Sequence, residues 1–106
     1  MWLRPSRVRI AGDSMAPTLL DGDWALAFTP RRFAPGDVVI LEHPQRPGFE
    51  LVKRLVRVVG PGEYWVEGDS PDASTDSRTF GPVPSMALKA KVVAIYWPKS
   101  RRGLLR

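Results

Sequence analysis

Eleven prolines and nine glycines among 106 residues break this chain so often that only short elements joined by many turns can fit it. Between the breaks, apolar residues recur with period two. RVRIA (7–11) alternates Val8 and Ile10 with arginines, the pattern of a strand with one wet face. WALAF (24–28) follows the turn DGD as a second strand, and GDVVILEH (36–43), with its β-branched centre, reads as a more buried one. FELVKRLVRVVG (49–60) is the longest strand, PGE (61–63) a tight turn and YWVEG (64–68) its hairpin partner. LKAKVVAIYWP (88–98) closes the set, and residues 68–84 form a long polar loop without periodicity. Helical signals are confined to a turn after Ser14 and another near PSMAL. The expected fold is all-β and mainly antiparallel: one domain over 1–106, a small coiled sheet or partly open barrel with one long loop and at most one or two short helical turns.

The chain has no cysteine, which excludes disulfides, thiol catalysis and cysteine-ligated metals. His43 is its only histidine, so a histidine-rich metal site or a histidine-bearing triad is not expected, and His43 itself reads as a surface loop residue. No metal and no cofactor is expected. The net charge of +5 and the isoelectric point of about 10.2 raise the question of nucleic acid. The basic residues are scattered, however, apart from Arg31-Arg32 and the KSRRGLLR tail (99–106). They read as a solvated surface with a basic tail, and no nucleic-acid partner is expected. No apolar run approaches bilayer length, and the first residues lack the apolar core of a secretion signal. A complete chain would be soluble and cytoplasmic; a fragment of an anchored enzyme would work at the extracytoplasmic membrane surface.

One polar turn carries a chemical question. In GDSMAPTL (12–19), Ser14 would be a poor helix N-cap, because Pro17 at the third helical position offers no N–H. Asp13 caps better and leaves the Ser14 hydroxyl free. Gly12 permits unusual dihedrals and close backbone approach, and N–H groups at such a turn can stabilise an oxyanion. A serine hydroxyl needs a base, and the candidate is Lys53. It shares a strand face with Leu51 and Leu55, while Arg54 shares the other with Val52 and Val56, so the pattern leaves open which face is buried. A buried lysine can shed its proton and act as a base, whereas arginine cannot. The plain alternative is an exposed lysine protecting a sheet edge.

Taken together, the segments resemble the signal peptidase I (leader peptidase) family of serine–lysine endopeptidases, over most of the chain and in order. SMAPTL (14–19) resembles the nucleophile box, GDVVIL (36–41) the central strand box and VKRLVRVVG (52–60) the lysine box. GDSPDASTDSRTFGPVP (68–84) resembles the last box, with Ser70, Pro71 and Ala73 departing from its usual Asn, Arg and Asn. The resemblance implies the signal peptidase catalytic fold, with Ser14 as nucleophile and Lys53 as general base. It also implies that Ser74 orients the lysine, that Asp76 and Arg78 support the loop by an ion pair, and that Met15 lines the substrate pocket. The oxyanion hole would use the Ser14 backbone N–H and a contribution at Gly12, where some members carry a hydroxyl residue. The implied partner is a precursor protein presenting an extended N-terminal segment with small residues near the cut.

The family's membrane anchor and the inserted subdomain of some bacterial members have no counterpart in these residues. The chain is most similar to the small anchorless proteases that mature nickel-type superoxide dismutase, notably in ASTDSRTFGPVP and the terminal YWP…RRG. Self-cleaving SOS repressor domains share a GDSM…GD…VKR skeleton but lack the STDSR loop. Two further alternatives are a catalytically silent basic β module that binds acidic partners, and membrane-surface contact through Trp2 and the basic tail.

Overall fold

A computed structural model describes residues 5–105. Trp2 lies outside the described residues. Eight strands form one sheet: β1 (Ser6–Arg9), β2 (Trp24–Phe28), β3 (Val38–Glu42), β4 (Glu50–Gly60), β5 (Glu63–Glu67), β6 (Val83–Pro84), β7 (Leu88–Trp97) and β8 (Gly103–Leu104). Their order is β1-β2-β7-β3-β4-β5-β6, every pairing is antiparallel, and β8 adds to β7. All six expected strands are present, with ends shifted by a residue or two. The path is open, with β1 and β6 at its edges.

β3 explains how so short a chain builds a core. Val38 and Ile40 point into one apolar cluster with Ile10, Met15, Leu19, Ala25, Ala27, Val92 and Ile95. Val39 and Leu41 point to the opposite face, into a second cluster with Leu55, Val66, Val83 and Leu88. Both faces of β3 are covered, which is why its sequence is continuously apolar and not alternating. The two flanking strands, β7 and β4, change partners along their length. β4 pairs with β3 through Arg54 and with β5 from Arg54 onward. One edge of Leu51–Lys53 is therefore not taken by β5.

The polar loop of residues 68–84 has more structure than its composition suggests. It contains a 3-10 turn (Pro71–Ala73), a one-turn helix α1 (Ser77–Phe80) and β6. Asp76 caps α1 by accepting the Arg78 N–H. The second helical turn expected near PSMAL is a 3-10 turn at Ser85–Ala87.

Candidate active site

Ser14 lies in the loop between β1 and β2. Reciprocal backbone bonds close the loop's foot, Ile10 N–H to the Asp23 carbonyl and Gly22 N–H to the Ile10 carbonyl, both at 2.8 Å. Residues 14–18 form a hydrogen-bonded turn and not the helical turn expected, because Pro17 removes a donor. The Ala16 N–H goes to the Asp13 backbone carbonyl at 3.1 Å, and Leu19 N–H to the Met15 carbonyl at 2.9 Å. Met15 and Leu19 are buried in the first apolar cluster, so two side chains anchor the turn from below. Ser14 stays half-buried at the surface of a cavity. Met15 lines that cavity from within the core.

Gly12 takes φ +84°, a conformation that costs glycine nothing. Its N–H donates to Asp21 Oδ1 at 2.8 Å. That donor, expected at the oxyanion hole, is thus engaged within the loop, while the Ser14 N–H has no partner among the described residues.

On β4 the face question is resolved. Lys53 is 3 % exposed and Leu55 fully buried, so the Leu51–Lys53–Leu55 face points inward and Arg54 outward. Burial pushes the Lys53 amine below its ordinary pKa; Asp76 opposes the shift and Arg78 adds to it. Among the described residues the amine has one hydrogen-bond partner, Ser74 Oγ at 3.0 Å. Ser74 Oγ in turn donates to Asp76 Oδ2 at 2.6 Å. A hydroxyl has a single proton, and Asp76 takes it, so Ser74 can only accept from Lys53. A neutral Lys53 therefore spends one N–H on Ser74 and keeps its lone pair free to take a proton from elsewhere. Ser74 thus accepts from the amine and does not compete for its lone pair.

Asp76 is fully buried and saturated. Oδ2 accepts from Gly68 N–H, Ser74 Oγ and Arg78 Nη2, and Oδ1 accepts from Arg78 N–H and Nε. Burial alone would raise its pKa, but the hydrogen bonds from Arg78, Ser74 and the two amides outweigh it. They hold Asp76 well below the usual carboxylate range. The Asp76–Arg78 ion pair expected from sequence is present, with Arg78 Nη2 at 2.6 Å from Oδ2.

Ser14 and Lys53 line two cavities in common. The larger, about 560 Å³, runs between β1 and the unpaired edge of Leu51–Lys53, with Ile40 and Met15 among its walls. The smaller, about 280 Å³, adds Gly12, His43, Arg46 and Thr75. Three segments distant in sequence thus converge on one concave surface. Ser14 and a buried amine whose pKa burial lowers share its wall, and the serine backbone N–H has no partner among the described residues. That arrangement can perform acyl transfer.

Several contributors escaped sequence reading. Gly68 is pressed so closely between the Ser14 carbonyl and the Ser74 side chain that a methyl group there would overlap both. Ser70 N–H also bonds the Ser14 carbonyl at 2.9 Å. Asp69 accepts the Thr18 hydroxyl at 2.6 Å and a forked pair of bonds from Arg54 at 2.9 and 2.8 Å, tying the serine turn to the lysine strand. The G-D dipeptide after β5 and the polar residue in the serine box were the available signals. His43 corrects an expectation: it is 9 % exposed and packed between Phe49 and Phe80, not a surface loop residue. Its Nδ1 accepts the Gln45 N–H at 3.0 Å, which places the proton of a neutral ring on Nε2.

Known proteins match this chain over most of its length. The family model described as "Signal peptidase, peptidase S26" matches residues 3–60 and 55–97. The Mitochondrial ATP-independent inner membrane protease subunit 1a of Arabidopsis thaliana is 35 % identical, over 95 % of this chain and 76 % of its own length. Mitochondrial inner membrane protease subunit 1 of Homo sapiens is 30 % identical, over 93 % of this chain and 74 % of its own. Subunit 2 of Saccharomyces cerevisiae is 30 % identical, over 90 % and 70 % respectively.

Proposed function

Because the chain belongs to the signal peptidase family, peptidase S26, and is a serine peptidase of that family, we propose that Ser14 and Lys53 are its catalytic dyad. The observation that carries this reading is the buried Lys53 amine, held by Ser74 with its lone pair unspent, on the cavity wall it shares with Ser14. Neutral Lys53 takes the Ser14 proton, and Ser14 Oγ attacks the scissile carbonyl. The Ser14 N–H stabilises the oxyanion. Lys53 returns the proton to the leaving amine, then activates the water that hydrolyses the acyl ester.

The substrate is a precursor protein cut in an extended N-terminal segment. The larger cavity suits such a segment, since the unpaired edges of β1 and of Leu51–Lys53 offer backbone groups along its walls. Its apolar floor of Met15 and Ile40 favours small apolar side chains beside the cut. For the precursor itself, the resemblance of residues 73–84 and of the terminal YWP…RRG supports the propeptide of nickel-type superoxide dismutase. No helix among the described residues is long and apolar enough to cross a membrane.

Mass spectrometry of that precursor, incubated with the wild type and with Ser14→Ala, tests both levels of the reading. A serine-dependent mass shift supports the activity and the substrate. Cleavage of other precursors, but not this one, removes the substrate alone. Cleavage that survives Ser14→Ala removes the dyad.

A further inference from the structure

The basic tail, expected to be solvated, returns to the serine loop. After β7 the chain makes a single 3-10 turn, Lys99–Arg101, and this turn carries the Arg101 guanidinium across to residues far behind it in sequence. Nε lies 2.9 and 3.0 Å from the two oxygens of Asp23, 78 positions earlier. Nη2 donates to the carbonyls of Pro17 and Thr18 at 3.4 and 3.3 Å.

Asp23 stands at the foot of the Ser14 loop. It is 2 % exposed, its backbone carbonyl accepts the Ile10 N–H, and its Oδ2 accepts the Leu20 N–H at 2.8 Å. Among the described residues Arg101 is, apart from that amide, the partner of its carboxylate, and a buried carboxylate stripped of its cation is strongly unfavourable. One guanidinium therefore neutralises the foot of the loop and grips the end of the turn that Ser14 begins.

We propose that Arg101 is a positioning residue of the peptidase, a latch that fixes the Ser14 turn at the distance from β4 that proton transfer to Lys53 requires. The proposal rests on the reading of Ser14 and Lys53 as the dyad. Thr18 is held from two directions: Arg101 takes its carbonyl, and Asp69, itself bound by Arg54 beside Lys53, takes its hydroxyl. Against the outer side of the turn, Pro17, Thr18, Ile95 and Arg101 border a cavity of about 400 Å³. That cavity is the space into which an unlatched turn would relax. Because the latch touches neither the substrate cavity nor Lys53, its loss should slow the chemical step more than it weakens substrate binding.

The experiment compares Arg101→Met and Arg101→Lys with the wild type. It measures amide hydrogen exchange in residues 11–20, together with kcat and KM for a precursor the wild type cleaves. Arg101→Met should raise exchange in residues 11–20 roughly tenfold or more, relative to β3 and β4 as internal references, once the local bonds open freely. It should lower kcat by about ten- to a hundredfold with KM changed by less than roughly twofold. Arg101→Lys keeps the charge but not the fork, and should recover part of both losses. Unchanged exchange in residues 11–20, or faster exchange there with an unchanged kcat, overturns the proposal. Should Arg101→Met fail to fold, Arg101→Lys carries the same comparison: faster loop exchange with a lower kcat supports the latch, and wild-type values of either overturn it. A wild type that cleaves no precursor defeats the dyad, and the positioning role with it. The exchange data then decide only whether Arg101 holds the loop.

Discussion

Lys53 donates to Ser74 at 3.0 Å, and because Ser74 gives its own proton to Asp76, the contact can run in that direction only. Ser74→Ala removes the acceptor that aims the amine. Activity should fall by roughly 10²-fold or more, the range that a misdirected general base forfeits, while the fold is retained. Ser74→Thr, which keeps the hydroxyl, should retain much of the activity. Parallel kinetics and thermal unfolding of the two variants check this; equal activity in Ser74→Ala and the wild type would count against an orienting role.

Burial lowers the Lys53 pKa, with a definite sign for both activity and stability. In the proposed mechanism the base is the neutral amine, so kcat/KM should climb with pH and level off below the ordinary lysine value of 10.5. Between the lowered value and 10.5, the unfolded chain binds the proton that the folded chain has released, so stability rises with pH across that window. Below the window the folded protein carries a buried cation at a cost. Lys53→Met should therefore be inactive yet no less stable than the wild type on the acid side, and thermal melts of both across pH decide it.

Asp76 works in the opposite sense. Its folded pKa is depressed, so the stability it contributes is present above the ordinary carboxylate value of 3.8 and lost as pH falls toward its folded value. Asp76→Asn should cost about 2–3 kcal/mol at neutral pH, since it weakens several hydrogen bonds to a buried charge. It should also flatten the acid limb of the unfolding curve. Denaturant titrations at neutral and acid pH give both quantities.

Gly68→Ala tests the close approach of the serine turn and the Ser74 loop. The added methyl meets the Ser14 carbonyl at 2.6 Å and the Ser74 side chain, so the serine turn and the loop must separate. A loss of roughly 10²-fold in kcat is expected, of the size that a misplacement of about 1 Å produces. The two apolar clusters lie elsewhere and should keep the fold intact. Activity assays alongside thermal unfolding separate the two effects, and wild-type kcat in this variant would contradict the packing argument.

The strands were legible because one-sided burial writes itself as alternation, and β3 was legible as buried because both its faces are covered. Lys53 illustrates the limit: the pattern showed that one face of β4 carries a cation inward, but only packing decided that it is this one. α1 has no apolar stripe to announce it, since a carboxylate cap and its packing beside β5 form it. His43 looked exposed because it precedes a proline, yet Phe49, six residues on, and the distant Phe80 pack their rings against it. The tail looked like a charge run because composition says nothing of a partner 78 residues away. Arg31 and Arg32, read in the same way, are indeed exposed.

The two anchors of the Ser14 turn have a temporal consequence. Synthesis makes the turn first, Asp69 and the STDSR loop after it, and then Arg101, 83 positions beyond Thr18. The candidate nucleophile is thus out of the exit tunnel long before the groups that hold it in register. On the proposed reading, a nascent chain lacks an ordered Ser14 turn until Asp69 and Arg101 have both been made, so proteolytic competence waits for residues 51 and 83 positions beyond Thr18.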